Sequence, residues 1–282
     1  MIGVVGSNGF IGKTLSSYLV SKGETVIEYT STTPIFDKSG LVQNFDKLDQ
    51  IIWCASKVNP SSASKCPELI EEEIENWTKF LSLIELKANK NPRIVFLSSA
   101  GCTYSGTDFP LNEHSVAEGT NSYGKLKIRI EELLKESGLG FVILRLSNVY
   151  GPDQPRGRGQ GVLAEWIGAI EESAPLKIYG SLEQFRDYIH ISDVCTAIFE
   201  ILKSEYNAET LNVGSGKATK LGEILKLIQQ NLGSDLQTHV FPARGFDRPG
   251  YFLDISKMLR GTRWKPTITI ESGISDLVLQ AK

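Results

Sequence analysis

Tyr123 and Lys127 stand four residues apart in the run Ser122-Tyr123-Gly124-Lys125-Leu126-Lys127. Positions i and i+4 of a helix share a face, so the ammonium can lie beneath the phenol ring and lower its pKa. A tyrosine tuned in this way exchanges a proton with a substrate hydroxyl while a hydride leaves the same carbon. The spacing also fits an ordinary surface pair, worth a few tenths of a kcal/mol. Its place, one helix after the fourth strand, gives it weight. That strand ends in Leu97-Ser98-Ser99-Ala100-Gly101. A hydroxyl at the carboxyl edge of a parallel sheet, where ligands bind, can hold the reacting oxygen, and Ser99 is the candidate. The alternative for either serine is a helix cap or turn.

A hydride needs an acceptor, and the amino-terminal residues offer a place for one. Gly6-Ser7-Asn8-Gly9-Phe10-Ile11-Gly12 lies between an apolar strand and a helix. In that context the first glycine permits a tight turn. The second lets backbone approach a pyrophosphate, and the third lets helix and strand pack closely. The helix start adds unpaired N–H groups and a partial positive charge. NAD or NADP is the expected cofactor, and an oxidised nicotinamide would further depress the phenol's pKa. An acidic residue about twenty positions on would bind the adenosine ribose, but the strand reads Val26-Ile27-Glu28-Tyr29-Thr30-Ser31. Glu28 falls inside the strand, where it reads equally well as a solvated charge, and Thr30 takes the tip. Thr30 and Ser31 can hydrogen-bond a 2′-phosphate, with Lys38 near in sequence, although no arginine is present to secure it. The choice leans to NADP and stays open.

The elements that must carry these groups alternate along the first half. Strands are expected at Ile2–Val5, Thr25–Tyr29, Ile51–Cys54, Arg93–Leu97 and Gly140–Leu144, and helices at Phe10–Ser21, Pro67–Lys90 and Ser122–Glu136. Such alternation predicts an α/β fold, a Rossmann-type doubly wound parallel sheet covered on both faces. Continuous apolar runs such as Ile94-Val95-Phe96-Leu97 suit strands buried on both sides. After a Gly/Pro/Arg-rich loop at 151–161, shorter elements follow: helices at Val162–Glu172, Ser192–Lys203 and Lys220–Leu232, and a strand at Lys177–Tyr179. We therefore expect a dinucleotide-binding domain over 1–150 and a smaller C-terminal α/β substrate domain over 151–282, with segments near 182–213 returning to the first.

Composition limits the alternatives. The 282 residues carry a formal net charge of −3, with 41% hydrophobic and 22% charged residues, ordinary for a globular chain. This gives no electrostatic case for nucleic acid or an anionic membrane as partner. Cys54, Cys66, Cys102 and Cys195 form no CxxC pair, so no metal site is expected, and reduced thiols fit a cytoplasmic protein. Met1–Val5 run straight into the glycine loop without a basic region, so no secretory signal is expected. No apolar run approaches the ~18 residues that span a bilayer.

Together these residues resemble the extended short-chain dehydrogenase/reductase family, in particular its NAD-dependent epimerase/dehydratase branch, with UDP-glucose 4-epimerase-like enzymes among it. The likeness runs nearly end to end. It includes the glycine loop, Ile51-Ile52-Trp53-Cys54-Ala55-Ser56, Ser98-Ser99-Ala100-Gly101-Cys102-Thr103-Tyr104, and Ser122-Tyr123-Gly124-x-x-Lys127 with Glu131 beyond. It continues in Leu144-Arg145-Leu146-Ser147-Asn148-Val149-Tyr150-Gly151-Pro152, Gln160-Gly161-Val162 and Ile178-Tyr179-Gly180. Arg186-Asp187-Tyr188-Ile189-His190-x-x-Asp193, Leu211-Asn212-Val213-Gly214 and Leu253-Asp254-Ile255-Ser256-Lys257 complete it.

The resemblance implies catalysis by Tyr123, Lys127 and Ser99. It implies a dinucleotide held by Gly6, Asn8, Gly9, Phe10, Ile11, Gly12, Thr30, Ser31, Ala55, Ser56, Ser98, Tyr123 and Lys127. A nucleoside-diphosphate sugar, with uridine as the expected base, would meet Ser99, Ala100, Asn148, Arg186 and Arg244, the last three residues before Asp247. Arginine's fork matches phosphate oxygens; for Arg186 the alternative is an ion pair with Asp187. His190 and Asp193 are expected to hold a strand–helix turn. The resemblance also admits a homodimer through helices 67–90 and 122–136, and by family analogy alone a role in polysaccharide precursor synthesis. Three positions depart from the pattern: Ala100 stands where close epimerases have Ser or Thr, Ser105 is inserted between Tyr104 and Gly106, and Thr30 replaces an acid. The leading expectation is a nucleotide-sugar 4-epimerase, with an NADPH-dependent 4-keto-sugar reductase as alternative. A 4,6-dehydratase lacks its acidic pair at Ala100-Gly101. A cofactor-binding sensor without catalysis is opposed by Tyr123 and Lys127 in register.

Overall fold

The computed structural model describes residues 1–157, 161–244 and 248–281. In chain order the elements are β1 (Ile2–Val5), α1 (Phe10–Ser21), β2 (Val26–Tyr29), β3 (Gln50–Trp53), α2 (Pro60–Ala63), α3 (Glu68–Lys87), β4 (Arg93–Ser99), α4 (Ala100–Thr103), α5 (Ser122–Glu136) and β5 (Phe141–Leu146). There follow β6 (Asn148–Tyr150), α6 (Val162–Glu171), β7 (Leu176–Tyr179), β8 (Phe185–Arg186), β9 (Tyr188–His190), α7 (Ile191–Lys203) and β10 (Glu209–Val213). The chain closes with β11 (Thr219–Lys220), α8 (Leu221–Leu232), β12 (Thr238–Phe241), α9 (Ser256–Gly261) and α10 (Ile270–Gln280).

Six strands form one parallel sheet in the order β2-β1-β3-β4-β5-β10. The chain steps from β1 out to β2, then crosses to β3 on the other side of β1. A topological switch therefore lies between β1 and β3, and the crevice beyond the carboxyl ends of such strands is where ligands bind. The stretch after β2 adds no strand to this sheet. It folds back through an isolated Phe36–Leu41 bridge and buries Ile35, Phe45 and Leu48.

The pleat explains why both faces are covered. Val95 and Leu97 of β4, with Ile52, Val142 and Leu144, join the α1–α7 side of the core. Ile94 and Phe96, with Ile51, Trp53, Phe141 and Ile143, join the α3–α5 side. Alternate residues thus serve opposite layers, and an uninterrupted apolar run is the consequence. A third, smaller core joins α6, β7, α8 and α10. Three two-stranded pairings complete the second half: β6 with β9, β8 with β11, and β7 with β12.

The structure departs from the expected elements in detail. The helix expected to reach Lys90 stops at Lys87, because Ala88 turns extended and the Asn89 N–H donates to Asp46 instead. The strands of two to four residues, β8, β9, β11 and β12, are not among the expected elements. Runs so short carry no readable period. No helix among the described residues is long and apolar enough to cross a membrane.

Candidate active site

The catalytic candidates meet because α5 docks tightly on the end of β4. Asn121 caps α5, its Oδ1 accepting from Gly124 N–H at 2.9 Å, so Tyr123 sits in the first turn. Gly124 lets that turn touch α4: a Cβ there would fall 1.9 Å from the Cys102 carbonyl oxygen. Tyr123 is thereby set beside the Ser99–Cys102 turn. One turn on, Lys127 is buried. Its Nζ lies 5.5 Å from the Tyr123 ring centroid and 4.9 Å from that of Phe96, and 3.5 Å from the Leu97 carbonyl oxygen. A further turn brings Glu131, fully buried, which accepts from Arg145 of β5 (Nη2, 2.6 Å; Nε, 3.1 Å) and from Ser98 Oγ at 2.6 Å. Arg145 also stacks over Tyr104, whose hydroxyl donates to Asn212 of β10 at 2.7 Å.

Electrostatics differ from the expectation that the ammonium would bring the phenol down. Burial pushes Tyr123 well above its ordinary value, and Cys102 and Glu73 push the same way. Burial likewise lowers Lys127, opposed by Glu73 and Glu131. Desolvation disfavours the charged form of each group and is the largest influence on both. The Cys54 thiol is raised by burial too, which leaves it inert as a nucleophile.

One cleft of about 370 Å³ runs from Phe10 and Ile11 at the start of α1, past Ser99, Tyr123 and Lys127, to Asn148, Arg186 and Arg244. Arg186 does not pair with Asp187. Its Nη1 donates to the carbonyls of Phe185 (2.8 Å) and Pro249 (3.3 Å). Asp187, wholly buried, accepts instead from Ser215 N–H and Oγ, Gly216 N–H and Leu253 N–H. Arg244 lies over the Tyr179 ring, 4.9 Å from its centroid. His190 Nδ1 accepts from Ser192 N–H, and Asp193 takes N–H groups of Thr267 and Ile268, so both brace turns.

Several expected residues stand elsewhere. Ser98 gives its hydroxyl to Glu131 and is almost fully buried; the strand's pleat turns it inward and Ser99 outward. Ser99 makes no capping bond to α4 and lines the cleft. Ala100 is completely buried and forms no part of the cleft wall. Ser56 lines the cleft, but its hydroxyl is committed to Glu73 at 2.8 Å. Gly6, Asn8, Gly9, Gly12, Thr30, Ser31 and Ala55 lie outside the cleft wall. Thr30 Oγ1 accepts from Thr32 and Thr33 N–H (3.2 and 3.1 Å), capping its own turn. Gln160 and Asp247 lie outside the described residues. Lys177, Tyr179, Gln184, Arg248 and Tyr251 also line the cleft. No local pattern marks these as site residues, because only the fold brings them to one cleft.

The glycine loop fits a dinucleotide. Gly6 has φ +89°, and a Cβ on it would fall 2.8 Å from the Ala55 backbone nitrogen; one on Gly12 would fall 2.1 Å from the Gly6 carbonyl oxygen. Helix, strand and turn therefore close on each other as the pyrophosphate cradle requires. Gly9 caps α1 without a side chain, which leaves the helix's first N–H groups open toward an anion.

Comparison with known proteins agrees with this geometry. The sequence pattern of the NAD dependent epimerase/dehydratase family matches residues 2–214. The chain is 27% identical to dTDP-4-dehydro-6-deoxyglucose reductase of Escherichia coli, over 98% of this chain and 95% of that one. It is 28% identical to a putative UDP-glucose 4-epimerase of Methanocaldococcus jannaschii, over 99% and 97%. Its fold superposes on UDP-glucose 4-epimerase of Thermotoga maritima with UDP-glucose, at TM-score 0.85 and 23% identity, covering 99% and 97% of the two chains. With a family match over most of its length and a glycine cradle, tyrosine–lysine helix and sheet of the kind that family needs, the chain belongs to the NAD dependent epimerase/dehydratase family, as an enzyme of the extended short-chain dehydrogenase/reductase type.

Proposed function

We propose that this enzyme is a nucleotide-sugar 4-epimerase acting by transient oxidation at the sugar C4. The observation that carries the reading is the single cleft joining the start of α1 to Tyr123 and Lys127 and then to Arg186 and Arg244. A bound oxidised nicotinamide supplies the hydride acceptor and a further positive charge beside the phenol. Tyr123 takes the 4-OH proton as the hydride departs from the same carbon. Ser99, facing the cleft, holds the sugar oxygen. Glu73 and Glu131 oppose the burial that lowers Lys127, and the charged form of that amine favours the ionised phenol. Asn148, Arg186 and Arg244 hold the diphosphate, leaving the 4-keto sugar free to turn over and accept the hydride on its other face.

The wall contains Lys127, Lys177, Arg186, Arg244 and Arg248 and, among the described residues, no carboxylate. That balance favours a diphosphate ligand. It also opposes a dehydratase, which needs a carboxylate acid and base at the sugar. For the cofactor, the absence of an acid at the tip of β2 removes the repulsion a 2′-phosphate would meet, and we infer NADP over NAD. This same feature supports the second reading, an NADPH-dependent 4-keto-sugar reductase. Cytoplasmic location and a homodimer through α3 and α5 accompany either reading.

Replacing Tyr123 with Phe is expected to abolish turnover while dinucleotide and UDP-sugar binding, followed by calorimetry, stay nearly intact. Undiminished turnover would refute the assignment. Epimer formation without net loss of reduced cofactor, followed by the absorbance of the reduced nicotinamide, separates the first reading from the second, in which cofactor is consumed mole for mole.

A further inference from the structure

Arg248 stands out among the cations of the cleft. Its Nη1 donates to the Tyr104 carbonyl at 2.8 Å and its Nη2 to that of Gly106 at 2.7 Å. Its guanidinium carbon lies 5.5 Å from the Tyr251 ring centroid and 5.8 Å from that of Phe109. The side chain is thus held in place before any ligand arrives, yet among the described residues only two of its five N–H groups find an acceptor. No carboxylate among the described residues pairs with it. Burial lowers its pKa; the Arg186 charge acts in the same direction, against Tyr251 and Cys102. Two half-buried cations kept as neighbours call for an anion to offset them.

Position along the cleft says which anion. Tyr251, under Arg248, abuts the catalytic turn: a Cβ on Gly101 would fall 2.7 Å from the Tyr251 hydroxyl. Tyr104 and Gly106, whose carbonyls hold Arg248, follow directly on that turn. Arg244, by contrast, rests on Tyr179 of β7. Arg186 lies beside Arg248, with its Nη1 on the Pro249 carbonyl; Arg186 and Arg244 suffice for a diphosphate, which leaves Arg248, fixed just beyond the catalytic turn, for a second anion. We propose that Arg248 binds a carboxylate on the sugar, so that the preferred substrate is a nucleoside-diphosphate uronic acid and not a neutral hexose. The inference rests on the nucleotide-sugar reading above.

The test compares UDP-glucuronate with UDP-glucose by calorimetry on the full-length protein loaded with reduced dinucleotide, with UDP alone as reference. The wild type is expected to favour the uronate by about tenfold or more, the effect of a charge-assisted contact. In Arg248→Met that ratio should fall toward one. Arg248→Lys, which keeps the charge but not the fork, should retain part of it and decides the matter if the methionine variant fails to fold. Equal affinities in the wild type, or an equal weakening of both sugars in the variant, would overturn the proposal and leave the nucleotide-sugar reading standing. A protein that binds neither sugar nor UDP would refute that reading and this inference together.

Discussion

Single residues at the sheet's carboxyl edge carry the proposed choice of cofactor and of reacting oxygen. Thr30 occupies the tip of β2, and its hydroxyl organises the turn to Thr33. An aspartate there would keep an acceptor for those N–H groups and add a negative charge where a 2′-phosphate would lie. Thr30→Asp is expected to weaken NADPH by about tenfold, roughly 1.4 kcal/mol, while sparing NADH. Fluorescence titration with the two reduced dinucleotides checks this, and an unchanged NADPH affinity would remove the argument for NADP. Ser98 and Ser99 teach a related lesson. They are chemically identical and adjacent, so residue type alone does not separate the roles that the family resemblance implies for them. The pleat sends one to Glu131 and the other to the cleft.

At the scale of the element, the proposed chemistry depends on α5. Tyr123, Lys127 and Glu131 recur every four residues, so one face carries the phenol, the cation and the anchor. Glu131 ties the helix to β4 through Ser98 and to β5 through Arg145. Removing one partner of a buried pair leaves the other uncompensated, at a cost on the order of 3 kcal/mol. Glu131→Gln should lower the unfolding free energy by about that amount in urea titrations, and kcat should fall too as the helix loses its fixed rotation. Full stability in the variant would show that apolar packing alone seats α5. The bounds of α5, Ser122–Glu136, were fully legible, because Asn121 caps it and its apolar positions repeat at helical spacing. The close approach at Gly124 was not, since it depends on Cys102 of another element.

For the whole molecule, the important feature is that the sheet is finished late. β10 pairs with β5, and α7 packs beside α1, although both follow residue 190 in the chain. Trp264, further on still, donates from its indole Nε1 to the Asp193 carbonyl at 2.9 Å. A chain cut after residue 150 would therefore expose Val142, Leu144, Leu15 and Leu19, all fully buried in the intact protein. Such a fragment is expected to lack cooperative thermal unfolding by circular dichroism. A sharp transition would instead show that the dinucleotide half folds alone. The cleft lies where the two halves meet, and so neither half contains it.

The chain's own order of residues determined the alternation of strands and helices, the glycine cradle and the tyrosine–lysine face, because each is a local pattern of period, turn or i+4 spacing. The short strands of the second half, the inward turn of Ser98, the burial that raises Tyr123 and the arrival of Arg248 and Tyr251 at the catalytic turn were decided only by tertiary structure. Those depend on groups brought together from distant parts of the chain, and desolvation has no value until the surrounding walls exist.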